Sequence, residues 1–177
     1  QSLWVATDKG LFQLADGKWQ EYITDQTINA IQQTDQGQLW LATSNGLYQF
    51  HNGEWIPELN VVVNVSSFVE LADGTLLAGG SDGLRVKPPA DETVVMRTDL
   101  AGEFVAGLFL GSDGKLWGRS TAGFISYDGL KWINHGGPNP IIRKWPQQSS
   151  IYEDSQGIIW FNNGGAQMLG ALIMDNC

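Results

Sequence analysis

The chain is a succession of short apolar runs, rich in β-branched and aromatic residues, which glycine-containing turns separate roughly every eight to twelve residues. The clearest example is Gln38–Phe50, where a run around Trp40 is followed by a turn at 44–46 and a second run, Leu47–Phe50. Short runs bounded by glycine are typical of β-strands, whereas a helix would show apolar residues at i, i+3, i+4 and i+7. The pattern therefore predicts an all-β fold.

The same pattern recurs along the chain, with 36 to 43 residues between equivalent positions. The five copies are Leu3–Leu14, Gln38–Phe50, Thr75–Val86, Lys115–Tyr127 and Ile158–Leu169. A unit of about 40 residues that holds about four strands has the size of one β-propeller blade. We therefore predict a single β-propeller domain over residues 1–177, built from about five blades of four antiparallel strands.

The boundaries of the blades follow from the turns. We name the strands of a blade A to D from the inside outward, and the chain enters at strand B of the first blade. The predicted blades cover residues 3–22, 28–58, 65–99, 104–135 and 149–169. The A strand of the first blade is predicted to come from Ala171–Asn176, which resembles the other A strands. This C-terminal strand would close the ring with blade 1 and remove two exposed edges. The last blade lacks an evident D strand.

Two residue types recur at fixed places within the repeat. Turns in which an Asp shortly precedes a Gly lie between strands A and B, and there we predict that Asp caps backbone N–H groups and Gly supplies a positive φ. These turns are 35–37, 73–74, 113–114 and 154–157. We favour this structural role over calcium binding, which needs six or more oxygens in one place. Tryptophans recur on strands B and D, where we predict that they fill space between blades. They are Trp4, Trp40, Trp117 and Trp160 on strand B, and Trp19, Trp55 and Trp132 on strand D.

The composition narrows the range of partners. A net charge of −9 argues against a nucleic-acid partner, since phosphate binding needs clustered Lys and Arg. No apolar run approaches the roughly 18 residues that a membrane span requires, so we expect no direct membrane insertion. The single cysteine, Cys177, cannot form an internal disulfide.

The longest connection in the chain, 134–149, is the first candidate for a ligand site. It brings His135, Arg143, Lys144 and Trp145 together, and Trp145 obeys neither register of the other tryptophans. Long loops in compact domains are often functional, and an aromatic side chain next to cations suits a sugar, a carboxylate or a peptide. The structural alternative is that the loop covers the gap between blades 4 and 5, with Trp145 as its plug.

The turns between strands B and C are the second candidate. These turns and the D–A connections should share one face of the propeller, around the mouth of the channel. Short polar side chains at such a rim can hydrogen-bond a polyhydroxyl ligand, although they also occur in any β-turn. The rim residues that we predict to contact a ligand are Lys9, Asn45, Asp82 and Asn162.

Catalysis finds little support in the residues. The two histidines, His51 and His135, lie on different predicted blades, and His51 is expected to be an exposed turn residue. No nucleophile elbow, phosphate loop or paired-histidine metal motif is present. We therefore expect no enzymatic activity, no catalytic residue, no metal and no cofactor.

The segment from Asp35 to Leu47 resembles the two-component regulator propeller repeat, whose pattern is roughly D-x-x-G-x-[LI]-W-[IV]-[GA]-T-x-x-G-[LI]. Parts of the other copies match it less completely. The resemblance implies an extracytoplasmic, periplasmic or secreted sensor propeller, of the kind often attached to bacterial hybrid sensor kinases that respond to carbohydrates. The stretch IIWFNNGG also resembles streptogramin lyase-like propellers, which use a His and acidic residues with magnesium, and only His135 offers a counterpart.

The hypothesis that follows is a non-catalytic ligand-binding or sensor module. It would recognise an extracellular carbohydrate or other small molecule, or a protein partner, on the face that carries the 134–149 loop. One alternative is a structural or assembly module within a larger chain or complex. A second alternative is a lyase-like enzyme.

Overall fold

The computed structural model describes residues 2–34, 37–58, 63–89, 95–96, 100, 102–121, 123–128, 130–136, 151–162 and 169–172. In these residues the chain forms eighteen β-strands, arranged in five antiparallel sheets. Strands that are neighbours in a sheet are also consecutive along the chain. The all-β prediction is therefore confirmed.

The chain divides into two units, residues 1–67 and 68–177. The first unit holds two complete sheets. Sheet 1 contains β1 (Ser2–Ala6), β2 (Gly10–Ala15) and β3 (Lys18–Thr24). Sheet 2 contains β4 (Ile28–Gln33), β5 (Leu39–Thr43), β6 (Gly46–His51) and β7 (Glu54–Pro57). Sheet 1 thus has strands B, C and D, and sheet 2 has strands A to D, as the repeat predicts.

The second unit holds most of sheet 3 and all of sheets 4 and 5. Sheet 3 contains β8 (Val65–Glu70), β9 (Leu76–Gly80), β10 (Gly83–Lys87) and β11 (Val95–Met96). Sheet 4 contains β12 (Val105–Leu110), β13 (Leu116–Ser120), β14 (Gly123–Tyr127) and β15 (Trp132–Gly136). Sheet 5 contains β16 (Ile151–Glu153), β17 (Ile159–Asn162) and β18 (Leu169–Leu172).

The C-terminal strand differs from the prediction. Leu169–Leu172 pairs with β17, with Leu172 opposite Ile159, and so forms strand C of sheet 5. The assignment of Ala171 and Leu172 to the first blade is therefore wrong. The misplacement arose because a short apolar run fits strand A and strand C equally well. Residues 173–177 lie outside the described part, so closure of the ring through them stays a prediction.

The core of the first unit lies between sheets 1 and 2. Leu11 and Leu41 are fully buried, and aromatic rings from both sheets surround them. The Trp4 ring of sheet 1 meets the Trp55 ring of sheet 2 edge-on, with centroids 5.6 Å apart. Phe50 continues this packing at 5.0 Å from Trp55. The strand B tryptophan of one sheet thus packs on the strand D tryptophan of the next.

The same junction recurs between sheets 3 and 4 in the second unit. Leu77 and Leu84 of sheet 3 share one buried cluster with Leu116 and Ile125 of sheet 4. Trp132, the strand D tryptophan of sheet 4, packs against this cluster. On the sheet 3 side, however, Leu77 occupies the place that tryptophan holds in the other repeats.

Trp19 departs from the predicted scaffold role, because its side chain is 58% exposed. The register places it opposite Leu14, which in turn lies opposite Leu3. Strand alternation therefore puts Trp19 on the face of sheet 1 that points away from Trp4 and sheet 2. Leu3 on the same face is also 58% exposed.

The Asp turns have the predicted structural role. The carboxylates of Asp73 and Asp113 each accept the backbone N–H of the residue two positions on, at 2.9 and 3.0 Å. Asp154 accepts the backbone N–H of Ile158 at 3.0 Å and the Trp160 indole N–H at 2.8 Å. The bond from the indole, followed by that from Ile158, holds the pKa of Asp154 below its ordinary value.

We predict that Gly10→Ala destabilises the fold much more than Gly17→Ala. Both glycines have positive φ, 151° and 73°, so alanine at Gly17 should cost about 1–2 kcal/mol. A Cβ at Gly10 would also overlap the backbone carbonyl oxygen of Ile23, whereas nothing lies near one at Gly17. We expect Gly10→Ala to lose more than about 3 kcal/mol of unfolding free energy in urea titrations. Equal losses for the two variants would contradict the role assigned to Gly10.

Candidate functional site

One end of the first unit is a continuous polar rim, formed by two B–C turns and the D–A connection between them. The connection at 25–27 is hydrogen-bonded to both turns: the Asp25 N–H donates to the Lys9 carbonyl at 3.1 Å, and the Ser44 N–H donates to the Thr27 carbonyl at 2.9 Å. The prediction that B–C turns and D–A connections share a face is therefore confirmed within this unit. Lys9 and Asn45 lie exposed at this rim.

The threonine and glycine of the repeat hold the rim turns in shape. The Thr7 hydroxyl donates to the Gly10 carbonyl at 2.8 Å and accepts the Gly10 N–H at 3.0 Å. Thr43 repeats the arrangement, donating to the Gly46 carbonyl at 3.1 Å and accepting the Asn45 N–H at 3.0 Å. The motif residues at the rim therefore serve the backbone, which leaves the exposed Lys9 and Asn45 side chains to contact other molecules.

In the second unit, the corresponding turn of sheet 3 carries Asp82. Its backbone carbonyl accepts the Gly102 N–H at 2.9 Å, so here too a D–A connection meets a B–C turn. The Asp82 carboxylate forms an ion pair with Arg85, three residues later on β10. The carboxylate of Asp82 is therefore engaged within its own hairpin, β9–β10. Asn162, the remaining rim residue, ends β17, where its backbone pairs with Leu169.

His135 lies in a group of partly polar side chains that we call the His135 cluster: Trp117, Ser126 and His135. Its ring stacks on Trp117 with centroids 5.3 Å apart and an interplanar angle of 28°. One ring nitrogen, Nε2, shares a hydrogen bond of 2.8 Å with the Ser126 hydroxyl. Burial, and after it the charge of Lys115, lowers the pKa of His135 below its ordinary value.

Sequence reasoning missed Ser126 and also Arg119, which follows Trp117 by two residues on β13 and so lies on the same face of sheet 4. Arg119 is only 2% exposed, although it carries a guanidinium group. Burial disfavours this charge and lowers the pKa of Arg119, but an arginine remains protonated at any physiological pH. The repeat offered a signal for Arg119. The strand B positions equivalent to it in three other copies hold small residues, Ala6, Ala42 and Gly79.

The rest of the predicted loop site is not placed. Arg143, Lys144 and Trp145 lie outside the described residues. Of the residues that sequence reasoning grouped there, the structure positions His135 alone. Lys9 and Asn45 lie in the first unit, whereas Asp82 and His135 lie in the second.

Within the described ranges, no three His, Cys, Asp or Glu side chains gather as a metal site would require. No helix in the described part of the chain has the length and hydrophobicity to cross a bilayer.

The repeated antiparallel sheets place this chain among all-β repeat proteins, and a family model agrees. The family model described as "Two component regulator propeller" matches residues 22–45, from the end of β3 to the B–C turn of sheet 2. The resemblance inferred from the sequence is thereby confirmed, and the chain carries a repeat of this family. Comparison with curated proteins gives no match.

Solved structures extend the likeness to the whole fold. Two are extracellular domains of proteins from B. thetaiotaomicron described as hybrid two component systems. They match with TM-scores of 0.75 and 0.68 at 18% and 19% identity, over 96% and 95% of this chain. Virginiamycin B lyase from Staphylococcus aureus matches with a TM-score of 0.71 at 14% identity, over 99% of this chain and 64% of the lyase. At these identities the likeness shows the fold alone.

The chain spans about a quarter of the length of the two extracellular domains that it resembles, 25% and 24%. The five sheets therefore correspond to only part of those domains. Whatever the whole domains recognise is a property of those proteins.

We predict that His135 makes the stability of the chain depend on pH near neutrality. Because its pKa is lowered in the folded state, the unfolded state binds the proton more readily, so stability should fall as the pH drops through about 6.5. The melting temperature of the wild type should therefore fall between pH 7.5 and pH 5.5, and it should fall less in His135→Gln. His51→Gln, at an exposed turn, is the control and should behave like the wild type. Identical pH profiles for all three proteins would refute the assignment.

Proposed function

We propose that this chain is a non-catalytic ligand-recognition module of sensor type, acting outside the cytoplasm as a single propeller domain of residues 1–177. Its ligand would be an extracellular carbohydrate or a protein partner, bound on the face that carries the B–C turns and the 134–149 loop. The proposed contact residues are Lys9, Asn45, Asp82, His135, Arg143, Lys144, Trp145 and Asn162.

The observation that carries this proposal is that the repeated side chains bond to the turn backbone, whereas other polar side chains at the rim are exposed. The hydroxyls of Thr7 and Thr43 accept backbone N–H groups in the B–C turns. The carboxylates of Asp73, Asp113 and Asp154 do the same in the A–B turns. The repeated residues are thus used by the scaffold, while exposed polar side chains remain at the rim. The family match and the likeness to extracellular domains of two component systems support a sensory role.

The lyase alternative rests on the likeness of the fold and on the resemblance of the stretch IIWFNNGG. His135, the only histidine proposed for it, stacks on Trp117 and bonds to the Ser126 hydroxyl. Such a ring is held in the packing of sheet 4, whereas a catalytic base needs access to a substrate proton. We therefore favour recognition over catalysis.

A glycan array tests the proposal directly. We expect the labelled 177-residue chain to bind a restricted set of glycans. Removing the aromatic platform in Trp145→Ala should weaken that binding at least tenfold, because stacking on an indole contributes about 1–2 kcal/mol or more. The double variant Lys9→Ala/Asn45→Ala should also weaken it.

The matched control removes similar side chains from the other end of the first unit. Lys18 and His51 are exposed at C–D turns, so Lys18→Ala/His51→Ala should bind like the wild type. If the wild type binds no glycan, the carbohydrate proposal is wrong. If both double variants lose binding equally, the rim assignment is wrong.

A specific observation also favours the assembly alternative. Leu3 and Trp19 expose apolar side chains on one face of sheet 1, opposite the face that packs on sheet 2. If this face mediates contacts between chains, the wild type should associate with rising concentration in light scattering. Trp19→Ser should then shift association to at least tenfold higher concentration, because burial of an indole contributes about 2–3 kcal/mol. A strictly monomeric wild type would eliminate self-assembly.

A further inference from the structure

The second unit contains a cleft of about 430 Å³ beside sheet 4, on the face opposite the His135 cluster. Strand alternation separates the two sites, because Asn134 lines the cleft whereas the next residue, His135, stacks on Trp117. The lining residues are Leu100, Glu103, Ser120, Ile125, Leu130, Lys131, Trp132 and Asn134. The volume falls within the range of about 300–1,000 Å³ that is typical of small-molecule sites.

Two elements hold the polar wall of the cleft in place. The turn that carries Glu103 is closed by a bond of 3.2 Å from the Glu103 N–H to the Leu100 carbonyl. The Gly102 N–H anchors this turn to the Asp82 carbonyl of sheet 3 at 2.9 Å. On the other side, Trp132 is fixed by its ring contact with Tyr127, with centroids 5.2 Å apart. The site is therefore built from anchored residues.

Two polar atoms of the lining residues are buried without a hydrogen-bond partner in the described part of the chain. They are the carboxylate oxygen Oε2 of Glu103 and the indole Nε1 of Trp132. A buried polar group without a partner costs roughly 1–3 kcal/mol, and more when the group is charged. Trp55 has a similar indole N–H, but it lies among the aromatic rings of the first core, which can accept it weakly.

The cleft lies at the junction where the repeat has lost a tryptophan. In the first unit the indole of Trp4 fills the space against Trp55. At the junction of sheets 3 and 4, the smaller Leu77 takes that place in the cluster against which Trp132 packs. Leu100 and Ile125 belong to this cluster and Trp132 packs on it, and all three also line the cleft.

The chemistry of the lining defines the ligand. Glu103 offers an acceptor with negative charge, whereas Trp132 and Lys131 offer donors, the second with positive charge. Leu100, Ile125 and Leu130 provide an apolar surface between such groups. A ligand that satisfies this set carries an ammonium group, a carboxylate and an apolar portion.

We propose that this cleft binds an α-amino acid or a short peptide as the zwitterion. The ammonium group donates to the Glu103 carboxylate, and the ligand carboxylate accepts from the Trp132 indole and pairs with Lys131. An apolar side chain such as that of leucine packs on Leu100 and Leu130. This site is independent of the rim residues proposed above to bind a carbohydrate or a protein.

Calorimetric titration of the 177-residue chain with leucine, the dipeptide Gly-Leu, N-acetylleucine, leucinamide and glucose tests the proposal. We expect leucine or Gly-Leu to bind. N-acetylleucine, which lacks the ammonium group, and leucinamide, which lacks the carboxylate, should each bind at least tenfold more weakly. Glucose, which lacks both charged groups, should not compete with leucine for this cleft.

Two variants locate the binding. Glu103→Gln keeps the shape but removes the charge, so affinity for leucine should fall at least tenfold and the preference for leucine over N-acetylleucine should shrink. Trp132→Phe keeps an aromatic ring and removes the N–H donor, so the preference for leucine over leucinamide should shrink. The controls Glu54→Gln and Trp19→Phe change exposed residues of the first unit and should leave affinity unchanged.

The measurements separate failure of this site from failure of the rim. No heat of binding with either zwitterion at millimolar concentration would overturn the proposal. Unchanged affinity in both Glu103→Gln and Trp132→Phe would do the same, with thermal melts showing that the variants are folded. Loss of amino acid binding in Lys9→Ala/Asn45→Ala would instead place the ligand at the rim.

Discussion

The fold depends on one packing arrangement, in which the strand B side of one sheet packs on the strand D side of the next. Strands alternate their side chains between two faces, so the two tryptophans of a repeat point in opposite directions. The Trp4–Trp55 contact in the first unit is the direct product of this alternation. A sheet that is packed in this way on both faces needs nearly continuous apolar strands, and Leu39–Thr43 has four buried residues in succession.

The features of the fold that depend on local sequence could be predicted, whereas those that depend on packing between sheets or on long-range pairing could not. Strand positions follow from runs bounded by turns, and the Asp turns follow from the chemistry of a carboxylate next to a positive-φ glycine. The C-terminal strand could not be assigned in the same way. Leu169–Leu172 is a short apolar run whose neighbours in the sheet depend on long-range pairing, and nothing in four residues distinguishes strand C from strand A. Likewise, the exposure of Trp19 depends on which sheets lie beside it, and its own position in the repeat does not reveal this.

The candidate site was harder to predict than the fold for a related reason. Polar residues at turns are common in any β protein, and only their neighbours show which of them remain free. Asp82 looked like the other rim residues, yet its carboxylate pairs with Arg85. Arg119 and Ser126 escaped attention because they lie inside strands, although Arg119 replaces a small residue of the other copies. In a repeat protein, the positions that depart from the consensus are therefore better guides to function than the motif itself.

The carboxylates of this chain show why such a departure matters energetically. In the turns between strands A and B, the carboxylates of Asp73, Asp113 and Asp154 accept backbone or indole N–H groups and stabilise their turns. Glu103 lies in an irregular connection, and one of its oxygens is buried with no donor in the described residues. An uncompensated acceptor of this kind lowers stability, whereas a ligand that supplies the donor recovers that free energy as affinity. The irregular connection that carries Glu103 thus lowers local stability, and a ligand that brings a cation can offset this loss and gain selectivity from it.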